Sequence, residues 1–300
     1  MTSPASTATD LAHLEALCTQ VRRDILRMVY DVQSGHPGGS MGCTEYFVAL
    51  FFQLMHHQPE PFDPDGHGQD LFFLSNGHIS PVYYSVLAHA GYFPRTELHS
   101  FRKIDSRLQG HPATEEGLPG IRVATGSLGQ GLSVAIGAAL SKRLNGDPQV
   151  VYCLCGDGEL QEGQIWEAAN FAAFHGVDKL VVTVDLNFIQ IDGDTREVMD
   201  TRELAAKFRA FNWEVIELED GNNLPMVLDV LATARHKTGH GQPVLVLMRT
   251  VMGSGVDFME GDPKWHGVPP TADEMAAAMA QLPETLGDYP APDLRSFDQA

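Results

Sequence analysis

The residues Val150-Val151-Tyr152-Cys153-Leu154-Cys155 form an unbroken apolar run that halts at Gly156-Asp157-Gly158-Glu159. Such a run, closed by turn formers, is the pattern of a strand buried on both faces. A helix-like segment follows, and a second apolar run, Leu180 to Val184, ends in Asp185-Leu186-Asn187-Phe188-Ile189-Gln190-Ile191-Asp192-Gly193. Strand, turn, helix, strand, turn is one βαβ unit, and its right-handed crossover makes the strands parallel. Both turns then emerge side by side at the carboxyl edge of a sheet, where open α/β sheets hold their ligands. The carboxylate of Asp157 and the amide oxygen of Asn187, 30 residues on, face one crevice. Hard oxygens of this kind suit a magnesium-sized cation that keeps part of its shell for phosphate oxygens. Gly156 and Gly158 let the backbone come close and leave N–H groups free for an anion at a helix start. Gly-Asp-Gly alone is an ordinary turn. With Asn187 placed beside it, the stretch reads as a metal-diphosphate cradle.

The rest of the chain alternates in the same way. Leu14, Leu17, Val21, Ile25, Met28 and Val32 recur every three or four residues, so 11–32 is an amphipathic helix that ends at Ser34-Gly35-His36-Pro37. An apolar helix is expected over 44–55, a strand over 70–74, a helix over 81–90, and a helix over 132–144 rich in Ala and Gly. Beyond the central unit come strands at 213–217 and 244–248 around a helix at 224–237, and a last helix at 272–282. Alternation of this kind predicts an α/β fold: a doubly wound, mostly parallel sheet with helices on both faces. The expected organisation is one domain over 11–282, with a loose segment at 1–10 and a flexible tail at 283–300.

A net charge of −19 argues against nucleic acid, whose phosphates demand clustered Lys and Arg, and against anionic membranes. No apolar run is long enough to span a bilayer, and the start lacks the basic and apolar regions of a signal peptide, so the cytoplasm is the expected compartment. Cys18, Cys43, Cys153 and Cys155 are read as reduced and structural. Cys153 and Cys155 fall in one apparent strand, and their side chains are expected on opposite faces, unable to clip a metal together.

Among the 13 histidines, four next to turn formers are singled out: Gly35-His36-Pro37, Gly77-His78, Gly110-His111-Pro112 and Trp265-His266-Gly267. Loops at the carboxyl edge of a parallel sheet are where catalytic groups gather, and imidazoles around a polyol can donate, accept and shuttle protons. The texts GHPGGS, SNGH, GHP, TGSLGQG, GDGELQEG through Asn187, and KWHG, taken in this order over about 10–270, resemble the transketolase family, in particular its split, two-gene members.

The resemblance implies a thiamine diphosphate-binding fold of the diphosphate-binding (PP) type and a two-carbon ketol transfer from a ketose, or its phosphate, to an aldose. It assigns a magnesium ion, replaceable by calcium or manganese, to Asp157, Asn187 and the backbone carbonyl of Ile189. His36 and His266 would contact the hydroxyl or carbonyl where the carbon–carbon bond is cut, His266 touching the cofactor as well. His78 would lie near the diphosphate, His111 would hold the first hydroxyl of the two-carbon unit, and Gly126 and Leu128 would line the aminopyrimidine. Phe188 stands where Gly is common in the family, which would alter the turn or the wall of the site. The family's activating glutamate and acceptor-phosphate arginines belong to a second, pyrimidine-binding part. A separate subunit carrying that part, in an α2β2 assembly, is therefore expected, with the present chain inactive alone. An acyloin-forming carboligase of secondary metabolism and a non-catalytic relative are the alternatives; deoxyxylulose phosphate synthase shares the cradle but decarboxylates pyruvate as one continuous chain, and the GHP, KWHG and TGSLGQG texts favour transketolase.

Overall fold

The computed structural model describes residues 8–290. The chain opens with α1 (Ala8–Val32), whose Leu14, Leu17, Val21, Ile25 and Met28 are all buried. Two short buried helices follow, α2 (Pro37–Gly42) and α3 (Thr44–Ala49), the second widening into a π-helical turn over Leu50–Leu54. Then come β1 (Leu71–Leu74), α4 (Ser80–His89) and α5 (Gln130–Leu144). The central unit is β2 (Val151–Gly156), α6 (Gly163–Phe174) and β3 (Leu180–Leu186). A small antiparallel hairpin, β4 (Ile189–Gln190) with β5 (Gly193–Asp194), leads through α7 (Thr195–Met199) and α8 (Leu204–Ala210) to β6 (Glu214–Leu218). The remaining elements are α9 (Leu224–His236), β7 (Val244–Arg249) and α10 (Ala272–Gln281).

Five strands form one wholly parallel sheet in the order β1-β2-β3-β7-β6. The chain steps from β1 through β2 and β3 to the far edge at β6, with α5, α6 and α8 packed on one face. It then turns back through α9 on the opposite face and inserts β7 between β3 and β6. Reversal of direction with a change of face is what right-handed crossovers require. Side chains alternate accordingly. Phe72, Leu74, Tyr152, Leu154 and Val246 lie in the core shared with α1, α3, α4 and α9, while Phe73, Val151, Val182, Val184 and Leu247 meet α5, α6 and α8.

Two expectations change. Cys153 and Cys155 are on the same face, not opposite ones, because a strand's period of two returns residues i and i+2 to one side. Their sulfurs are 3.9 Å apart, fully buried and free. The tail expected to be flexible is packed over 283–290: Arg23 pairs with Asp288 at 2.7 Å, and the Arg27 guanidinium lies 3.8 Å from the ring centre of buried Tyr289. Arg23 and Arg27, one turn apart on α1, hold this segment. The helix begins at Ala8, inside the segment expected to be loose, and 1–7 and 291–300 lie outside the described residues. Among the described residues no helix is long and apolar enough to cross a membrane.

Candidate active site

At the carboxyl edge of β1, β2 and β3 lies a cavity of about 400 Å³. The register Gly156↔Asp185 brings the end of β2 level with the end of β3. Asp157 therefore stands beside the Asn187 turn, and one of its oxygens accepts the Phe188 N–H at 2.6 Å while the other accepts that of Gly158 at 2.7 Å. Asn187 is held from both sides. Its Nδ2 donates to Asp185 at 2.7 Å, and its Oδ1 accepts the Ile189 N–H at 2.9 Å. That fixes which end of the amide is oxygen. Asp185 is fastened in turn by the hydroxyl of Thr250 at the end of β7.

Asp157 and Asp185 are 5% and 2% exposed, and among the described residues neither forms an ion pair. Burial, and then the charge of Asp185, pushes the Asp157 carboxyl up to about 7. The buried Asp157 carboxylate, without a cationic side chain, and the amide oxygen of Asn187, whose orientation Asp185 sets, make a donor set that a divalent cation would satisfy. The residues present fit a magnesium-diphosphate group.

Phe188 sits at φ +60, in the left-handed region that Gly adopts freely. Its ring does not wall the cavity; it packs toward the α6–α8 core beneath the guanidiniums of Arg196 and Arg249, 4.9 and 5.9 Å away.

The opposite wall is a group of four imidazoles. The ring of His36 is centred 5.1 Å from that of His78, 6.2 Å from His111 and 5.7 Å from His266, with His78 and His266 at 5.3 Å. Burial lowers the pKa of all four; His36 falls to about 4 by burial first, then through His266, Arg102 and His111. All are neutral near pH 7, so each offers one donor and one acceptor nitrogen. Nδ1 of His36 and Oδ1 of Asn76 are buried without a protein partner, as expected of atoms meant for a ligand.

Glycines make this convergence possible. A Cβ on Gly38 would lie 2.7 Å from the Trp265 carbonyl, so only glycine lets α2 close on the Lys264–His266 turn and set His36 against His266. Gly126, at φ +128, would place a Cβ 2.7 Å from His111 Cδ2. Leu128 follows in the same wall.

The structure thus gathers all the sequence-derived positions, His36, His78, His111, Gly126, Leu128, Gly156, Asp157, Gly158, Asn187, Ile189 and His266, around one cavity. Sequence reasoning missed Asn76, Asp185 and Glu159, which also line it. Asp185 and Glu159 lie inside the motif itself, but nothing in spacing reveals that their side chains turn inward. A larger hollow of about 780 Å³ runs between α5 and the outer edge of β1 and contains none of the four histidines.

A parallel sheet that gathers a buried carboxylate, an amide oxygen and four imidazoles at its carboxyl edge has the architecture of the thiamine diphosphate-binding enzyme domains. The family model described as "Transketolase, thiamine diphosphate binding domain" matches residues 15–291. This chain belongs to the transketolase family, whose members are thiamine diphosphate-dependent transferases, and corresponds to the family's N-terminal, cofactor-binding part. It is 36% identical over 271 residues to one of the apulose-4-phosphate transketolase subunits of Actinobacillus succinogenes, covering 90% of this chain and 95% of the relative. A 6-deoxy-6-sulfo-D-fructose transketolase subunit of Clostridium sp. (strain MSTE9) is 37% identical over 262 residues, 87% of this chain and 93% of the relative. The transketolase structure from Leishmania mexicana superposes with a TM-score of 0.84 at 31% identity, covering 93% of this chain but 43% of that one.

Proposed function

We propose that this chain is the diphosphate- and metal-holding subunit of a two-subunit transketolase, transferring a two-carbon ketol unit from a ketose to an aldose. The observation that carries the reading is the meeting of Asp157, Asn187 and four neutral histidines in one cavity. Asp157, Asn187 and the Ile189 carbonyl would hold magnesium, or calcium or manganese in its place, and through it the diphosphate, with His78 nearby. Gly126 and Leu128 would line the aminopyrimidine. Thiamine diphosphate, once bound, supplies the electron sink for carbon–carbon cleavage.

The chain's own groups bind and move protons. His36 and His266, 5.7 Å apart and neutral, take the proton from the substrate hydroxyl beside the bond that breaks and return it on the reverse step. His111, at the exposed side of the group, holds the first hydroxyl of the two-carbon unit. Relatives named for a sugar phosphate and for a sulfo-sugar favour a donor with an anionic end group. A partner subunit bearing the pyrimidine-binding part, in an α2β2 assembly, is favoured by relatives named as subunits and matched over nearly their whole length. Four free, buried cysteines accord with a reducing, cytoplasmic setting.

Calorimetric titration of thiamine diphosphate with magnesium, in the presence of the partner, tests the assignment. Asp157→Ala should abolish metal-dependent binding. His111→Ala should leave affinity nearly intact while cutting turnover with ketose donors. Equal loss of affinity in both variants would refute the division of roles.

A further inference from the structure

Glu159 follows directly after Gly156-Asp157-Gly158 and is 2% exposed, yet among the described residues no cationic side chain pairs with it. Its carboxylate is filled by donors from three separate segments. Oε1 accepts the Ser75 hydroxyl and the Gly129 N–H, the latter at 2.8 Å, and Oε2 accepts the Gly156 N–H at 3.0 Å. Each donor sits at the root of one wall of the cavity. Ser75 leads from β1 into Asn76 and His78, Gly129 closes the Gly126–Leu128 segment, and Gly156 ends β2 at Asp157.

The bond to Gly129 has a second role. Gly129 is the N-cap of α5, and this helix has neither a side-chain cap of its own nor an acidic residue in its first turn. Glu159 therefore supplies from outside both the missing acceptor and the negative charge that the positive end of a helix favours. The fit is tight, since a Cβ on Gly131 would lie 2.6 Å from the Ser75 side chain, so α5 rests directly on the residue Glu159 holds. Burial raises the Glu159 pKa, while the Ser75, Gly129 and Gly156 bonds pull it down.

We infer that Glu159 is a positioning residue: its buried carboxylate fastens the three turns that wall the cofactor cavity, and cofactor affinity depends on that fastening. The inference rests on the cavity being the thiamine diphosphate site. Glu159→Gln is the sharpest probe. It keeps shape and one acceptor oxygen for Ser75 and Gly129, but sets an N–H against the N–H of Gly156.

Amide hydrogen exchange on the cofactor-free chain should show Gly156 exchanging about tenfold faster in the variant, with β7 amides unchanged. Titration with thiamine diphosphate and magnesium should show affinity about tenfold weaker, as for loss of a supporting carboxylate around a ligand site. Glu159→Asp, one methylene shorter, should weaken affinity as well and expose both Gly129 and Gly156. Unchanged affinity in Glu159→Gln would overturn the inference, as would wild-type protection at Gly156. If the wild-type chain, titrated together with its partner, does not bind the cofactor with magnesium, the cofactor reading fails, while the exchange result still decides whether Glu159 fastens the turns. Should Glu159→Gln not fold, Ser75→Ala removes a single donor; about threefold weaker binding is expected, and unchanged binding would overturn the inference.

Discussion

At the scale of single residues, the site is built from backbone compromises as much as from reactive groups. Phe188 adopts a left-handed conformation costly for a residue with a Cβ, so that its N–H can reach Asp157. Phe188→Gly should therefore leave metal-dependent cofactor affinity within about threefold, because the N–H contact survives and the ring faces away from the cavity; titration of the variant checks this. Gly126→Ala should do the opposite. The new Cβ would drive into His111, and turnover should fall about a hundredfold, as misplaced reacting groups typically cause, with the global fold retained by circular dichroism.

The histidines also set a pH dependence. His36 binds its proton near pH 4 in the fold but near 6.5 when unfolded, so the unfolded chain takes up the proton first as pH falls. Stability from this group is full above 6.5 and is lost between 6.5 and 4, by about 2 kcal/mol once its partial exposure is allowed for. Asp157, raised to about 7, acts in the opposite sense in the metal-free chain, so the readout is a difference. Over that range the Tm of the wild type should fall more steeply than that of His36→Gln; parallel curves would contradict the assignment.

At the scale of elements, β2, α6 and β3 were legible because each obeys a local rule: an apolar run, turn formers, and one crossover length. The histidine turns were legible as a group for the same reason, since Gly and Pro mark loops before any contact is known. What stayed hidden depends on side-chain direction or on partners remote in sequence. Asp185 is two residues from Asn187, yet only the structure shows it orienting the amide. The packing of 283–290 required knowing that Arg23 and Arg27 face the returning chain, about 260 residues away. Tyr289→Ala should lower stability by about 3 kcal/mol, the usual cost of emptying a buried aromatic site, without changing cofactor affinity. Thermal unfolding beside a cofactor titration separates the two effects.

At the scale of the whole molecule, the sheet offers its carboxyl edge as an open cradle, with Asp157 and Asn187 at the floor and histidines along one wall. The chain corresponds to 43% of the Leishmania transketolase it superposes on, and to nearly all of the subunit-type relatives. The division of labour we propose is that this chain anchors the cofactor and a partner subunit completes the activating environment. The most direct measurement is ketol transfer from a ketose phosphate to an aldose phosphate, with thiamine diphosphate and magnesium supplied, using the purified chain alone and then mixed with a pyrimidine-domain subunit. Turnover only in the mixture, and none when Asp157→Ala replaces the wild-type chain, is the predicted result. Robust turnover by the chain alone, or undiminished turnover with Asp157→Ala, would contradict it.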